Sequence, residues 1–165
     1  MATKSATKNP ATKEAIWPGL EAGVPKPLMP YSPAIRAGDW VFIAGLIASD
    51  FQTGLAPEVV NSNSYLDNEL ALQSNFVLRN LASTIKACDC DINKNMVRMW
   101  QWLVSENPSQ SDFHKGDNWP SMTLKPYLNI RDTIVNSPAP PSSYLGVREL
   151  LCLGTALEVD MICLD

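Results

Sequence analysis

The chain is poor in the residues that most often announce catalytic or metal chemistry. It has one histidine, His114, set beside Lys115 in a polar stretch, which reads as a solvated residue. No Ser/His/Asp or Cys/His grouping, phosphate-binding loop or dinucleotide fingerprint is present. The four cysteines are Cys88, Cys90, Cys152 and Cys163. The close pair Cys88-Asp89-Cys90 lacks C-x-x-C spacing and a neighbouring histidine, so it reads as structural thiols, not a metal site. No cofactor or metal is expected. Basic charge is scarce too: 13 Lys and Arg stand against 17 Asp and Glu, a formal net charge of -4. Without a positive field to hold a polyanion, nucleic acid is excluded as a partner. No apolar run reaches the length of a membrane span, and the N-terminus carries no apolar signal core. With reduced cysteines, these absences point to a cytoplasmic protein with no membrane partner.

What is present fits one domain, since 165 residues can bury a proper core. Residues 1–15 repeat Ala-Thr-Lys from Ala2, Ala6 and Ala11 and show no apolar stripe, the composition of a disordered tail. Residues 16–165 make the domain. Its opening stretch, 16–29, carries Trp17 and the prolines Pro18, Pro25 and Pro27. Proline fixes φ and removes a donor, so this reads as an extended strap pinned by Trp17.

The chain is organised around residues 30–47. Ala37-Gly38-Asp39 reads as a tight turn, because Gly38 can take positive φ without a Cβ clash. Residues 40–47 are nearly all apolar, the pattern of a strand buried on both faces. Gly45 interrupts that strand, and a strand-interior glycine often lets a backbone or ligand come close. Residues 49–63 read as a loop, with a turn at Thr53-Gly54 and with Pro57 blocking a helix. Ser64 is the candidate N-cap of a helix over 65–87. Leu70, Val77, Leu81 and Ile85 share its apolar face, with Gln73 and Asn80 close by. A buried amide must be hydrogen-bonded, so both should tie the helix to the sheet. Residues 92–105 read as a strand with Arg98, Trp100 and Trp102 on one face and Met99, Gln101 and Leu103 on the other. The tryptophans fit either packing against a large apolar surface or an aromatic wall for a ligand. A long polar loop at 107–120 follows. Pro126 then opens a second helix with Tyr127, Ile130 and Ile134 as its stripe. Residues 142–151 and 155–164 read as two closing strands. The order β-β-α-β-α-β-β predicts an α+β fold, a mixed sheet with two helices on one face. One layer of helices cannot cover two apolar sheet faces, which predicts self-association.

Several of these stretches form a pattern. Residues 30–38 spell P-Y-S-x-A-x-x-A-G, and the next strand ends in A-G-x-I at Ala44-Gly45-Leu46-Ile47. Leu72-Gln73-Ser74, Asn80-Leu81, Met96-Val97-Arg98, Trp102-Leu103-Val104, Pro140-Pro141-Ser142-Ser143 and Leu157-Glu158-Val159-Asp160 follow in order. From about Pro30 to the C-terminus the chain resembles the Rid (YjgF) family of reactive-intermediate deaminases. The resemblance implies a chorismate-mutase-like α+β fold, assembled as a homotrimer around a central barrel of sheets. The ligand clefts, and so the small-molecule substrate, would lie between subunits.

The departures from the family bear on function. Members that hydrolyse enamines and imines keep an arginine in P-A-R-S that grips the substrate carboxylate. Ser142 stands there instead, one hydroxyl in place of a cationic fork. Arg148, six residues on, is a substitute from another direction. The family's second-helix asparagine has no clear counterpart near Tyr127. Its active-site acid is retained as Glu158, and the acid after it is shortened to Asp160. The resemblance thus implies an enzyme in which Glu158 positions a water or moves a proton and Tyr31 closes the cleft. Backbone N–H groups near Ser143 and Gly45 would hold a developing oxyanion. Ser142, Ser143, Tyr144, Gly45, Trp100, Arg148 and Asp160 are the candidate substrate-binding residues. With Ser142 for arginine, the substrate would be neutral or anchored otherwise, in the manner of an aromatic or ring-fission product. Relatives that deaminate aminomuconate-type compounds fit that class. A trimeric binding protein without turnover and a structural partner of another enzyme are the other two readings. Glu158 should face the cleft, away from Leu157, Val159 and Met161, with its pKa raised by burial.

Overall fold

Turn chemistry places the central hairpin. β2 (Ala34–Ala37) and β3 (Trp40–Ile47) pair antiparallel, and Gly38 takes φ 63° between them, a left-handed conformation that favours glycine. The structure is a computed structural model that describes residues 12–61, 68–104, 124–136 and 138–165. β1 (Lys13–Ile16) adds to the free edge of β2, so residues 13–15, expected in a disordered tail, are strand. The strap after it is not extended throughout. A 3₁₀ turn at Leu20–Ala22 ends on Gly23. Trp17 pins the strap to itself: its Nε1 donates to the Val24 carbonyl at 3.2 Å, and the Lys26 ammonium lies 5.8 Å from its ring centroid.

Pro57, expected to block a helix, opens a short one, α1 (Pro57–Val60), because the first helical position needs no N–H. The long helix α2 (Glu69–Ala87) is capped by Asn68, whose Oδ1 accepts from the Ala71 N–H at 3.1 Å. The expected cap Ser64 lies outside the described residues, as does the loop 107–120 with His114. β4 (Met96–Val104) starts later than the pattern predicts. Asp91, Asn93 and Asn95 close a turn before it through side chain-to-backbone hydrogen bonds. α3 (Lys125–Ile134) has Pro126 in its first turn, and β5 (Ser142–Val147) and β6 (Leu157–Leu164) complete the chain.

The six strands form one sheet in the order β1-β2-β3-β6-β4-β5. Only the β4–β5 pair is parallel, with α3 in the connection. This is the mixed α+β sheet read from the sequence. One face carries the core: Val41, Ile43 and Leu46 of β3, Met99 and Leu103 of β4, and Leu157, Val159 and Met161 of β6 pack with Val77, Leu78, Leu81 and Ile85 of α2 and Tyr127 of α3. The other face is open in this chain. Trp40 and Phe42 are 45% and 46% exposed, so the apolar strand expected to be buried on both faces is buried on one. Cys88, Cys90 and Cys163 are buried and all four cysteines are free. Burial pushes the Cys88 thiol up to about 11 and Cys163 up to about 12, which keeps them protonated and unreactive near neutrality. No helix among the described residues is long and apolar enough to cross a membrane.

Two buried amides join the layers. The Gln73 Nε2 donates to the Gly154 carbonyl at 2.9 Å, and its Oε1 accepts from the Ala156 N–H at 2.7 Å. The Gln101 Oε1 accepts from the Tyr127 hydroxyl at 2.9 Å, and its Nε2 donates to the Ser143 carbonyl at 3.1 Å. Asn80, the other amide expected to tie α2 to the sheet, donates no side-chain hydrogen bond among the described residues. The Gln73 bridge anchors the segment that leads into β6. Gln73→Leu keeps the bulk and strands two backbone groups, at about 1–3 kcal/mol for each. Urea unfolding of the variant should therefore show a loss of roughly 2–4 kcal/mol with an unchanged m-value.

Candidate active site

Register creates the site. Ile43 pairs with Met161 and Leu46 with Val159, so Ala44 and Gly45 together oppose Asp160 alone. That two-against-one count is a β-bulge, which bends the strand and re-aims the side chains around it. The Pro33 carbonyl accepts from the Ala44 N–H at 2.9 Å, which holds the segment carrying Tyr31 against the bulge. Glu158 lies on β6 with its side chain folded over Gly45. A Cβ built on Gly45 would stand 2.0 Å from the Glu158 Oε1 and 2.9 Å from its carboxyl carbon. Only glycine leaves room for this carboxyl on the sheet surface.

The electrostatics follow from the same packing. Burial raises the Glu158 pKa above the ordinary carboxylate value. The Tyr31 phenol is raised as well, first by burial and then by the charge of Glu158, so Tyr31 and Glu158 share one environment. Asp160 is pushed up to about 6, by burial first and by Glu158 second. Its Oδ1 is buried with no hydrogen-bond partner among the described residues. Across the sheet Asp160 pairs with Trp100, and Trp100 with Ser143; Glu158 pairs with Trp102. The Arg98 guanidinium sits 4.7 Å from the Trp100 ring centroid and donates to the Ser143 Oγ at 2.5 Å.

The open face therefore gathers Tyr31, Gly45, Glu158, Asp160, Trp100 and Ser143. It does not gather the rest of the predicted set. Ser142 and Tyr144 pair with Met99 and Gln101, on the helix-covered face, since strand alternation sends them opposite to Ser143. The Ser142 hydroxyl donates to the Pro140 carbonyl at 3.0 Å. The Tyr144 hydroxyl accepts from Arg131, and its ring meets Tyr127 edge-on at 6.2 Å. Arg148 is exposed just beyond the end of β5. Arg98 carried no assigned role in the sequence reading. Its signal was its place on the Trp100 side of β4, which parity alone reveals. No group of three or more His, Cys, Asp or Glu among the described residues is arranged to hold a metal ion.

No family model matches the chain. A RutC family protein of Pyrococcus horikoshii is 38% identical over 95 residues, which cover 58% of this chain and 65% of that protein. Over these residues the chain is similar to a RutC family protein, in line with its resemblance to the Rid (YjgF) family. The match spans just under two thirds of that curated relative's length. Solved structures share the fold of this chain. RidA of an Antarctic Psychrobacter is 19% identical with a TM-score of 0.61, covering 87% of this chain and 95% of its own. A probable translation initiation inhibitor of Rhodopseudomonas palustris is 19% identical with a TM-score of 0.67, covering 93% and 98%.

The raised Asp160 gives a pH-dependent stability. Between its ordinary pKa and about 6, the folded chain holds a proton at Asp160 that the unfolded chain has released. Stability linked to this group is thus greatest at low pH and falls as pH rises toward about 6. Asp160→Asn removes the ionisation. Its melting temperature should exceed the parent's at pH 7.5, and the gap should close as pH falls to 4. A gap that ignores pH would contradict the assignment.

Proposed function

We propose that this chain is a Rid-like enzyme on a small unsaturated substrate, working by acid/base-assisted hydrolysis or deamination. The observation that carries this reading is the Glu158 carboxyl, desolvated and lying on the Gly45 backbone beside Tyr31. A carboxyl whose pKa is raised by burial exchanges a proton more readily near neutral pH than a solvated one. For a C=N bond, Glu158 takes a proton from water as its oxygen adds to carbon and gives it to the nitrogen as the C=N π bond opens; it then takes the proton of the new hydroxyl and passes it to the nitrogen, so that the C–N bond breaks, ammonia leaves and the carbonyl product remains. Tyr31, with its phenol pKa raised, stays protonated and is a neutral donor to the substrate. Trp100 offers a flat apolar wall to a planar substrate. No cation stands at Ser142, whose hydroxyl is occupied by the Pro140 carbonyl, which favours a neutral or aromatic substrate over a bare amino-acid imine. That same serine also favours the second reading, a binding protein without turnover.

The open sheet face supports the assembly that the sequence pattern implies. Trp40, Phe42 and Leu164 are exposed on it together, and a contiguous apolar patch of this kind marks an interface. We propose a cytoplasmic homotrimer built on this face, with the Glu158 clefts between subunits. Sedimentation at micromolar concentration should give a trimer mass, and a monomer would refute the assembly.

The enzymatic reading is tested with a panel of enamines and imines, 2-iminopropionate among them. Hydrolysis of 2-iminopropionate should be at least tenfold weaker than by an arginine-bearing relative, since a charge-assisted pair is worth roughly 1.5–3 kcal/mol. For the best substrate found, Glu158→Gln should lower kcat by about 10²–10⁴, with no loss of melting temperature and with Asp160→Asn doing less. Near-normal turnover by Glu158→Gln would leave the binding-protein reading in front.

A further inference from the structure

A second cleft lies apart from the Glu158 face, on the outer side of α2. It has a volume of about 340 Å³ and is walled by the strap turn at Ala22-Gly23, by α1 and by α2. That size is at the small end of the range for ligand sites, roughly 300–1,000 Å³. The α2 wall is a single stripe: Leu72, Asn75, Phe76, Arg79, Asn80 and Ser83 line it at helical spacing. The stripe carries its apolar residues, Leu72 and Phe76, with Asn75 between them, toward the helix N-terminus, and Arg79, Asn80 and Ser83 toward its C-terminus.

Two charges of opposite sign enter this cleft from different elements, Arg79 from α2 and Glu58 from α1. They make no ion pair with each other within 4.0 Å; the pairs among the described residues are Arg36 with Asp165 and Arg131 with Asp132. Asn80 lies beside Arg79 on the same wall. It is 93% buried (relative exposure 7%), yet its amide donates no hydrogen bond among the described residues. It is not among the buried groups left without a partner, so its amide is open to what enters the cleft. Gly23 sits across from it at φ 77°, a left-handed conformation that favours glycine, with its Cβ position 3.7 Å from the Asn80 Oδ1. A cation, an anion, an amide that donates no hydrogen bond among the described residues and an apolar wall in one small cleft form a recognition set for a small zwitterion.

We infer that this cleft binds a free α-amino acid, its carboxylate on Arg79, its ammonium on Glu58, and its side chain against Phe76 and Asn80. The guanidinium fork matches a carboxylate bidentately, and Glu58 accepts from the ammonium. This site is independent of the Glu158 chemistry, because it lies on helix surfaces away from the open sheet face.

The test uses the full chain and the twenty common L-α-amino acids as probes, measured by titration calorimetry or ligand-observed NMR. At least one should bind with Kd below about 1 mM. Arg79 and Glu58 are both exposed, so their variants should fold. Arg79→Met and Glu58→Gln should each weaken that binding at least tenfold, while Glu158→Gln should leave it unchanged. Acetate and ethylamine, each half of the zwitterion, should bind at least tenfold more weakly than the amino acid. No binding by any of the twenty at 5 mM would overturn the site. So would loss in Arg79→Met with none in Glu58→Gln, which marks a plain anion site, and so would loss only in Glu158→Gln, which marks binding in the other cleft.

Discussion

A missing side chain at Gly45 is the constraint on which the candidate active site depends. The bulge at Ala44-Gly45 sets two residues against Asp160, and the absent Cβ gives the Glu158 carboxyl a place to lie. Any other residue there would push that carboxyl off the sheet into water, where its pKa would return toward the ordinary value. The raised pKa of Glu158, the raised Tyr31 phenol and part of the Asp160 shift follow from this one packing arrangement. Gly45 thus acts on the chemistry through space it leaves empty.

The rest of the fold holds that arrangement steady. β6 lies at the centre of the sheet, between β3 and β4, so Glu158 and Asp160 sit on the strand with neighbours on both sides. The entry to β6 is fixed by Gln73, which bridges Gly154 and Ala156 from α2. The β4–β5 pair is fixed by Gln101, which links Tyr127 to Ser143. Gln73 satisfies two backbone groups of the segment before β6 and Gln101 satisfies groups on α3 and β5, and a satisfied buried polar link specifies position as well as adding stability. The position of the acids is therefore set by contacts on the helix-covered face, while their environment is set on the open one.

Much of this was legible in the sequence, because local rules decide it. Gly38 marked the hairpin turn, period-two alternation separated Glu158 and Asp160 from Leu157, Val159 and Met161, and the flagged Gly45 is where a side chain comes closest. What could not be read depends on long-range register. Ser142 and Tyr144 were expected at the site. They face the helices because Ser143 falls opposite Trp100, a pairing between strands more than forty residues apart that no local pattern encodes. Pro57 carried a breaker's signature and opens α1 instead, since proline stops a helix in its interior but suits its first position. β1 was hidden by its polar composition; Lys13–Ile16 is strand because β2 offers an unpaired edge.

The open face links assembly to chemistry. In the single chain, Glu158 and Asp160 are raised chiefly by burial, although the neighbouring Trp40, Phe42 and Leu164 still meet water. Packing another apolar surface on those residues removes more of the water that stabilises the carboxylates, and this can only raise both groups further. The charge of Glu158 also opposes the ionisation of Asp160, so in a covered cleft the two would release their protons in separate steps. One acid then holds its proton while the other is charged, which is the condition for one group to donate as another accepts. Subunit packing would supply what a lone chain with a half-open cleft has only in part: a dry site in which the charge state of Asp160 tunes the acid that moves the proton, Glu158.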